Sequence, residues 1–104
     1  MTIALAIEYI PRRMNDIGIG TNYFLRYRHF VIQPLETIEL DGDNQFFIQV
    51  DEITDITIRS EFGIYDLSDT TINEQQYEHQ GKITLYNYSA SMKHVRFIQV
   101  IPKN

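Results

Sequence analysis

Chemistry in this chain would have to start from its carboxylates, imidazoles and hydroxyls. Asp41-x-Asp43-Asn44 sets oxygens at alternate positions, as a calcium loop does at its beginning. A full loop also needs a bidentate glutamate near its twelfth position with the central glycine in register. Glu52 is twelfth from Asp41, but Phe46, Ile48 and Val50 between them read as strand and would pull the ligands apart. The segment is therefore expected to be a β-turn. Asp51, Glu52 and Asp55, with Glu61 and Asp66 beyond, could hydrolyse glycosides if two faced each other across a cleft. Their spacing defines no pair, and no Trp is present to line such a cleft. His29, His79 and His94 lack the i, i+2 or i, i+4 spacing that brings two imidazoles onto one metal. Ser60, Ser68, Ser89 and Ser91 lie in no nucleophile elbow, and no glycine-rich phosphate loop exists. The absence of cysteine excludes a disulfide scaffold, a thiolate metal site and a cysteine nucleophile. The expectation is a protein that is not an enzyme, with no catalytic residue, no metal and no cofactor.

Charge and aromatic content point instead to surfaces. Residues 1–34 carry +2, residues 35–78 carry −11 and residues 79–104 carry +4, within a net charge of −5. Sheet pairing could mix these blocks in space. Kept apart, they would make a bipolar surface suited to head-to-tail contacts with copies of itself or with a charged partner. Nucleic acid is not an expected partner, because a phosphate backbone needs a contiguous basic face. Seven Tyr and six Phe are many for a small core. A second sheet layer could cover them; they could also anchor an interface or stack on carbohydrate. The expected interface residues are Arg12 and Arg13, at the base of a polar loop over 12–22, with Tyr23, Tyr27, Tyr86 and Tyr88.

The elements that would hold these residues follow from a period of two. The 104 residues are read as one domain spanning 1–104. No apolar run approaches the roughly 18 residues needed to cross a bilayer, so no membrane is expected. Glu8 interrupts what would be the apolar part of a signal peptide. Ile3, Leu5, Ile7 and Tyr9 alternate as a first strand that Pro11 would end. Tyr23, Leu25 and Tyr27, then Phe30 and Ile32, change phase near Arg28-His29, as at a bulge or a strand crossing. Residues 35–50 read as a hairpin turning at Asp41-Gly42-Asp43-Asn44. Ile56 and Ile58, then 64–67, Ile83 and Leu85, and a last strand from Val95 to Ile101 complete the set. Residues 68–81 are the longest irregular piece, with one helical turn possible over 73–77. Phe47-Ile48-Gln49-Val50 echoes Phe97-Ile98-Gln99-Val100, too short an echo to be a repeat. The expected fold is all-β: an antiparallel β-sandwich of about 7–8 short strands, Ig-like or jelly-roll-like, with helix under about a tenth of the chain. Ile7, Leu25, Ile38, Phe46, Ile48, Ile56, Ile58, Ile83, Leu85, Val95 and Phe97 are its expected core.

Tyr77-Glu78-His79-x-Gly81-Lys82-Ile83-Thr84-Leu85-Tyr86-Asn87, followed after a short turn by Val95-x-Phe97-Ile98-Gln99-Val100-Ile101-Pro102, resembles the closing hairpin of small β-sandwich virion proteins of tailed bacteriophages. These are auxiliary capsid, head decoration and related accessory proteins, often Ig-like. The resemblance implies a non-enzymatic virion component present in many copies, decorating or cementing the capsid. Its implied partners are the major capsid protein or other virion proteins, with self-association possible. A carbohydrate- or ligand-binding β-sandwich module is the other reading the residues allow.

Overall fold

Alternation of apolar residues is compatible with a helix as well as a strand when the spacing also satisfies three and four. In the computed structural model, which describes residues 2–50, 54–61, 63–66 and 78–103, the first element is a helix, α1 (Ile3–Asp16). Thr2 caps it, its hydroxyl accepting a hydrogen bond from the Leu5 amide at 3.1 Å. Ala6, Ile10 and Met14 repeat at helical spacing and are buried, with Tyr9 beside them. Leu5 and Ile7, which alternation would place in the same core, are about half exposed. Ala4, Leu5 and Ala6 are strong helix formers, and nothing in the first turns opposes them. Pro11 does not end the element but sits inside it. It lies on the solvent side with Ile7, whose carbonyl loses a partner and can be hydrated. Arg12 and Arg13 therefore belong to α1, and the irregular stretch is reduced to residues 17–22. The helix's 14 residues also exceed the expected helical tenth.

The rest is antiparallel β, as expected, and strands hold more than half of the chain. The strands are β1 (Tyr23–Ile32), β2 (Thr37–Val50), β3 (Ile56–Ser60), β4 (Gly63–Asp66), β5 (Glu78–Asn87) and β6 (Lys93–Pro102). They form one sheet in the order β1-β6-β2-β5-β3-β4. The expected hairpin over 35–50 is one strand, β2, which changes partner: Thr37–Gly42 pair with β5 and Phe46–Val50 with β6. The register breaks between Gly42 and Phe47, so Asp41-Gly42-Asp43-Asn44 marks a bulge and not a turn. Gly42 is required there, because a Cβ would sit 2.9 Å from the Phe47 ring. Counted by pairing among the described residues, β2 supplies two segments and the sheet seven. The phase change in β1 reflects no bulge, since Tyr23 to Ile32 pair with β6 in unbroken register. Nor do β5 and β6 form a closing hairpin; β2 lies between them. The helical turn considered over 73–77 lies outside the described residues.

The bulge lets the sheet fold over. One apolar cluster joins Ile32, Val95 and Phe97 from one end of the strand order to Ile56, Ile58, Ile83 and Leu85 from the other, with Phe47 between them. The inner face thus closes on itself in sandwich-like layers. Asn87, fully buried, fastens the closure. Its amide nitrogen donates to the carbonyls of Ile32, Gln33 and Ser91, and its Oδ1 accepts from the amide and hydroxyl of Ser89. The second cluster lies on the opposite face, where Ala6, Tyr9, Ile10 and Met14 of α1 cover Phe46, Ile48, Val50, Ile98 and Val100. That is why β6 is buried on both faces near its end, as its continuous apolar run predicts. Of the expected core residues, Ile7 and Leu25 are exposed, Ile38 is half-buried, and the other eight are buried.

Two substitutions test this architecture. Phe97, edge-on to both Phe30 and Phe47, should cost about 3–5 kcal/mol when cut to alanine, read as a fall in chemical-denaturation midpoint. Pro11→Ala should raise stability by about 1–3 kcal/mol, because an amide returns to the helix interior opposite the Ile7 carbonyl. An unchanged or lowered midpoint for the second variant would contradict a helix through residue 11.

Candidate functional site

Burying a carboxylate is costly unless it is fully hydrogen-bonded and faces a cation. Glu78 at the start of β5 meets that demand beneath α1. Its Oε1 accepts from the Tyr9 hydroxyl at 3.0 Å and from Arg13 Nε at 3.0 Å, and its Oε2 accepts from Arg13 Nη2 at 3.2 Å. The fork geometry is the strong, bidentate kind. The hydrogen bond to Glu78 raises the Arg13 pKa above its ordinary value, partly offset by burial. A raised pKa on a base means that its stabilisation is complete below the ordinary value and is lost only in strong alkali. Arg13 is thus committed to holding α1 on the sheet, which is a different use from the outer contact expected of it. Arg12, the residue before it, is exposed and lies with its guanidinium carbon 5.8 Å from the Tyr9 ring centre.

The tyrosines divide. Tyr23 is half-buried against the α1 cluster. Tyr27 on β1 is 64% exposed, the most open of the four. Tyr86 and Tyr88 form a tilted pair, ring centres 6.5 Å apart, and the Tyr88 hydroxyl donates to Asp66 Oδ2 at 2.6 Å. The structure therefore does not gather the six expected interface residues into one patch. Arg12 and Arg13 lie on α1, Tyr23 and Tyr27 on β1, and Tyr86 and Tyr88 at the far end of β5.

Two contacts were not visible along the sequence. His29 and His94 meet across β1 and β6, with Nε2 of the first 2.8 Å from Nδ1 of the second. They are 65 residues apart and diagonal in the ladder, since His29 faces Arg96 and Val31 faces His94. Only the strand register could have revealed them. One imidazole can donate to the other, but among the described residues no three His, Asp or Glu side chains converge where a metal could sit. The second contact is Ser60 Oγ at 2.8 Å from His79 Nδ1. A serine against an imidazole is part of a nucleophilic machinery; here His79 is wholly buried, with the Tyr65 ring tilted against it at 5.9 Å. Asp41 pairs in register with Lys82 inside β2, which spends its position on the ladder; Asp51 and Glu52 lie outside the described residues.

One pocket opens beside the start of α1, lined by Ile3, Tyr27, His29, Val50 and Arg96 with the strands beneath. Its volume of about 230 Å³ is below the range of roughly 300–1,000 Å³ typical of small-molecule sites. The larger exposed feature is β1 itself. Among the described residues it is an edge strand, ten residues long, and Phe24 on one face with Leu25, Tyr27 and Val31 on the other are each exposed by 40% or more. Edges of this kind are usually short, charged or covered.

Arg13→Ala should cost about 2 kcal/mol, below the figure for a fully buried pair because a third of the Arg13 side chain faces solvent. Arg13→Ala combined with Glu78→Gln should recover part of that loss, measured by denaturant unfolding. Comparison with protein-family models, with curated proteins and with solved structures finds no match for this chain.

Proposed function

We propose that this protein is a non-enzymatic structural component of a virion, decorating or cementing a capsid by repeated protein–protein contacts with the major capsid protein or another virion protein. The observation that carries the reading is the β1 edge, a long strand with apolar and aromatic side chains left open on both faces. Tyr27 and its neighbours there are suited to becoming desolvated anchors when a partner covers them. The setting is the one implied by the residue pattern over 77–102, although its two strands flank β2 and do not pair as the closing hairpin of that resemblance. In this reading the contact surface is β1 rather than the 12–22 segment, a choice supported by the hold of Glu78 on Arg13.

The test is occupancy. Quantitative mass spectrometry of purified tailed-phage particles from the source should find the chain in fixed, repeated copy number. Leu25→Glu with Tyr27→Glu should leave the folded protein intact and remove it from particles. Particles that lack the wild-type chain, together with glycan binding that needs Tyr86 and Tyr88, would replace this reading with the carbohydrate-binding one.

A further inference from the structure

β1 and β6 run side by side in unbroken register, with His29 opposite Arg96 and His94 opposite Val31. The two histidines are thus diagonal neighbours on one face, a placement from which long side chains still meet. Their Nε2 and Nδ1 atoms lie 2.8 Å apart and their ring centres 5.0 Å apart, with the planes tilted by 38°. Both side chains are exposed, so each ring has room to turn. The strands that carry them are held by a continuous ladder, and Val95 and Phe97 anchor β6 in the core on its other face. Two imidazoles on one tetrahedral zinc ion, each nitrogen at about 2.0–2.1 Å, have those nitrogens roughly 3.3 Å apart and their ring centres roughly 5 Å apart. The ring centres of His29 and His94 already stand at that separation. Only the turn of each ring must change, opening the gap between the facing nitrogens by roughly 0.5 Å.

We infer that His29 and His94 form a two-ligand site for a divalent transition ion of the zinc class. The ion takes the place of the hydrogen bond between the rings. Both rings stay neutral, with their protons on the nitrogens turned away, Nδ1 of His29 and Nε2 of His94. The facing nitrogens then each give a lone pair to the metal. Water completes the coordination on the open side. Imidazole nitrogen selects zinc, nickel and copper over magnesium and calcium, which take oxygen ligands. Charge limits the affinity. Arg96 stands directly opposite His29; Arg28 and Lys93 are next along each strand, on the other face, where Lys93 lies 3.8 Å from Asp55. With two protein ligands in place of four, about half the binding free energy of a structural zinc site remains, a Kd on the order of 10 µM. Bound there, the ion staples β1, an edge strand among the described residues, to the central strand β6. This inference stands apart from the virion reading, because it concerns the isolated protein.

Calorimetric titration of the chelator-treated protein with zinc chloride tests it. One ion per chain should bind with that affinity, copper(II) should bind more tightly, and millimolar calcium should displace neither. At a zinc concentration about a hundred times Kd, the ratio of folded to unfolded protein should rise about a hundredfold, read as a higher melting temperature. His29→Gln and His94→Gln should each weaken zinc binding by about a hundredfold and remove that rise. Both positions are exposed, so circular dichroism of the variants should match the wild type. Acidification should also weaken binding, as protons compete for both nitrogens. Zinc uptake that survives unchanged in either variant, or that calcium displaces, would place the ion on other side chains and overturn the inference. So would the absence of any uptake at about 1 mM zinc.

Discussion

β2 belongs to two ladders, and the rest of the molecule depends on how it passes from one to the other. Its first half is zipped to β5 and its second half to β6, with the register broken between Gly42 and Phe47. A strand that kept one register would leave a flat sheet with two half-covered faces. The break turns the sheet so that β1 and β6 come over β3 and β5, and the Phe47 ring fills the corner that Gly42 leaves vacant. Glycine is also found opposite, at Gly81, whose positive φ and close approach to Glu61 would tolerate no side chain. Two glycines facing each other thus mark the point where one layer becomes two.

Much of this was legible in residue order, and the parts that were not have identifiable physics. Strands β3 and β5 and the first half of β6 announce themselves by alternation because one face of each is buried and the other is more open. The helix was hidden because Ile3, Leu5, Ile7 and Tyr9 satisfy a two-residue period by coincidence; burial chose Ala6, Ile10 and Met14 instead. The bulge wore the sequence of a turn, since Asp-Gly-Asp-Asn serves either purpose. The echo of Phe47–Val50 in Phe97–Val100 proved to be spatial. The two quartets lie antiparallel beside each other, Ile48 opposite Ile98 and each Phe opposite the other's Gln, with the phenyl rings edge to face at 5.7 Å. Identical segments placed antiparallel make a local two-fold, which no reading of repeat length would reveal. The interface residues were the least legible, because whether Arg13 faces outward depends on a buried glutamate 65 positions away.

The surface chemistry follows from that interior. Glu78 demands a cation, takes Arg13, and so fixes α1 over β2 and β6 with β1 left beyond its shelter. Among the described residues β1 is then an edge that carries both exposed apolar side chains and two arginines. Arginines on an edge strand are a usual guard against indiscriminate pairing, and Arg26 and Arg28 stand in that position here.

The position of β6 has a kinetic meaning. It is central, pairing with β1 on one side and β2 on the other and lying under α1, yet it is the last strand in chain order. On a ribosome, α1, β1 and β2 emerge before β5 and β6, so the strands that pair with β1 and β2 do not yet exist. Contacts this distant in sequence make for slow folding. The half-made sheet must wait with its apolar faces uncovered, which exposes it to chaperones and to aggregation during synthesis in a way the finished protein is not. Polar Gln49 and Gln99, buried within the two matched quartets, place hydrogen-bonding groups where an unpartnered strand would otherwise be wholly greasy.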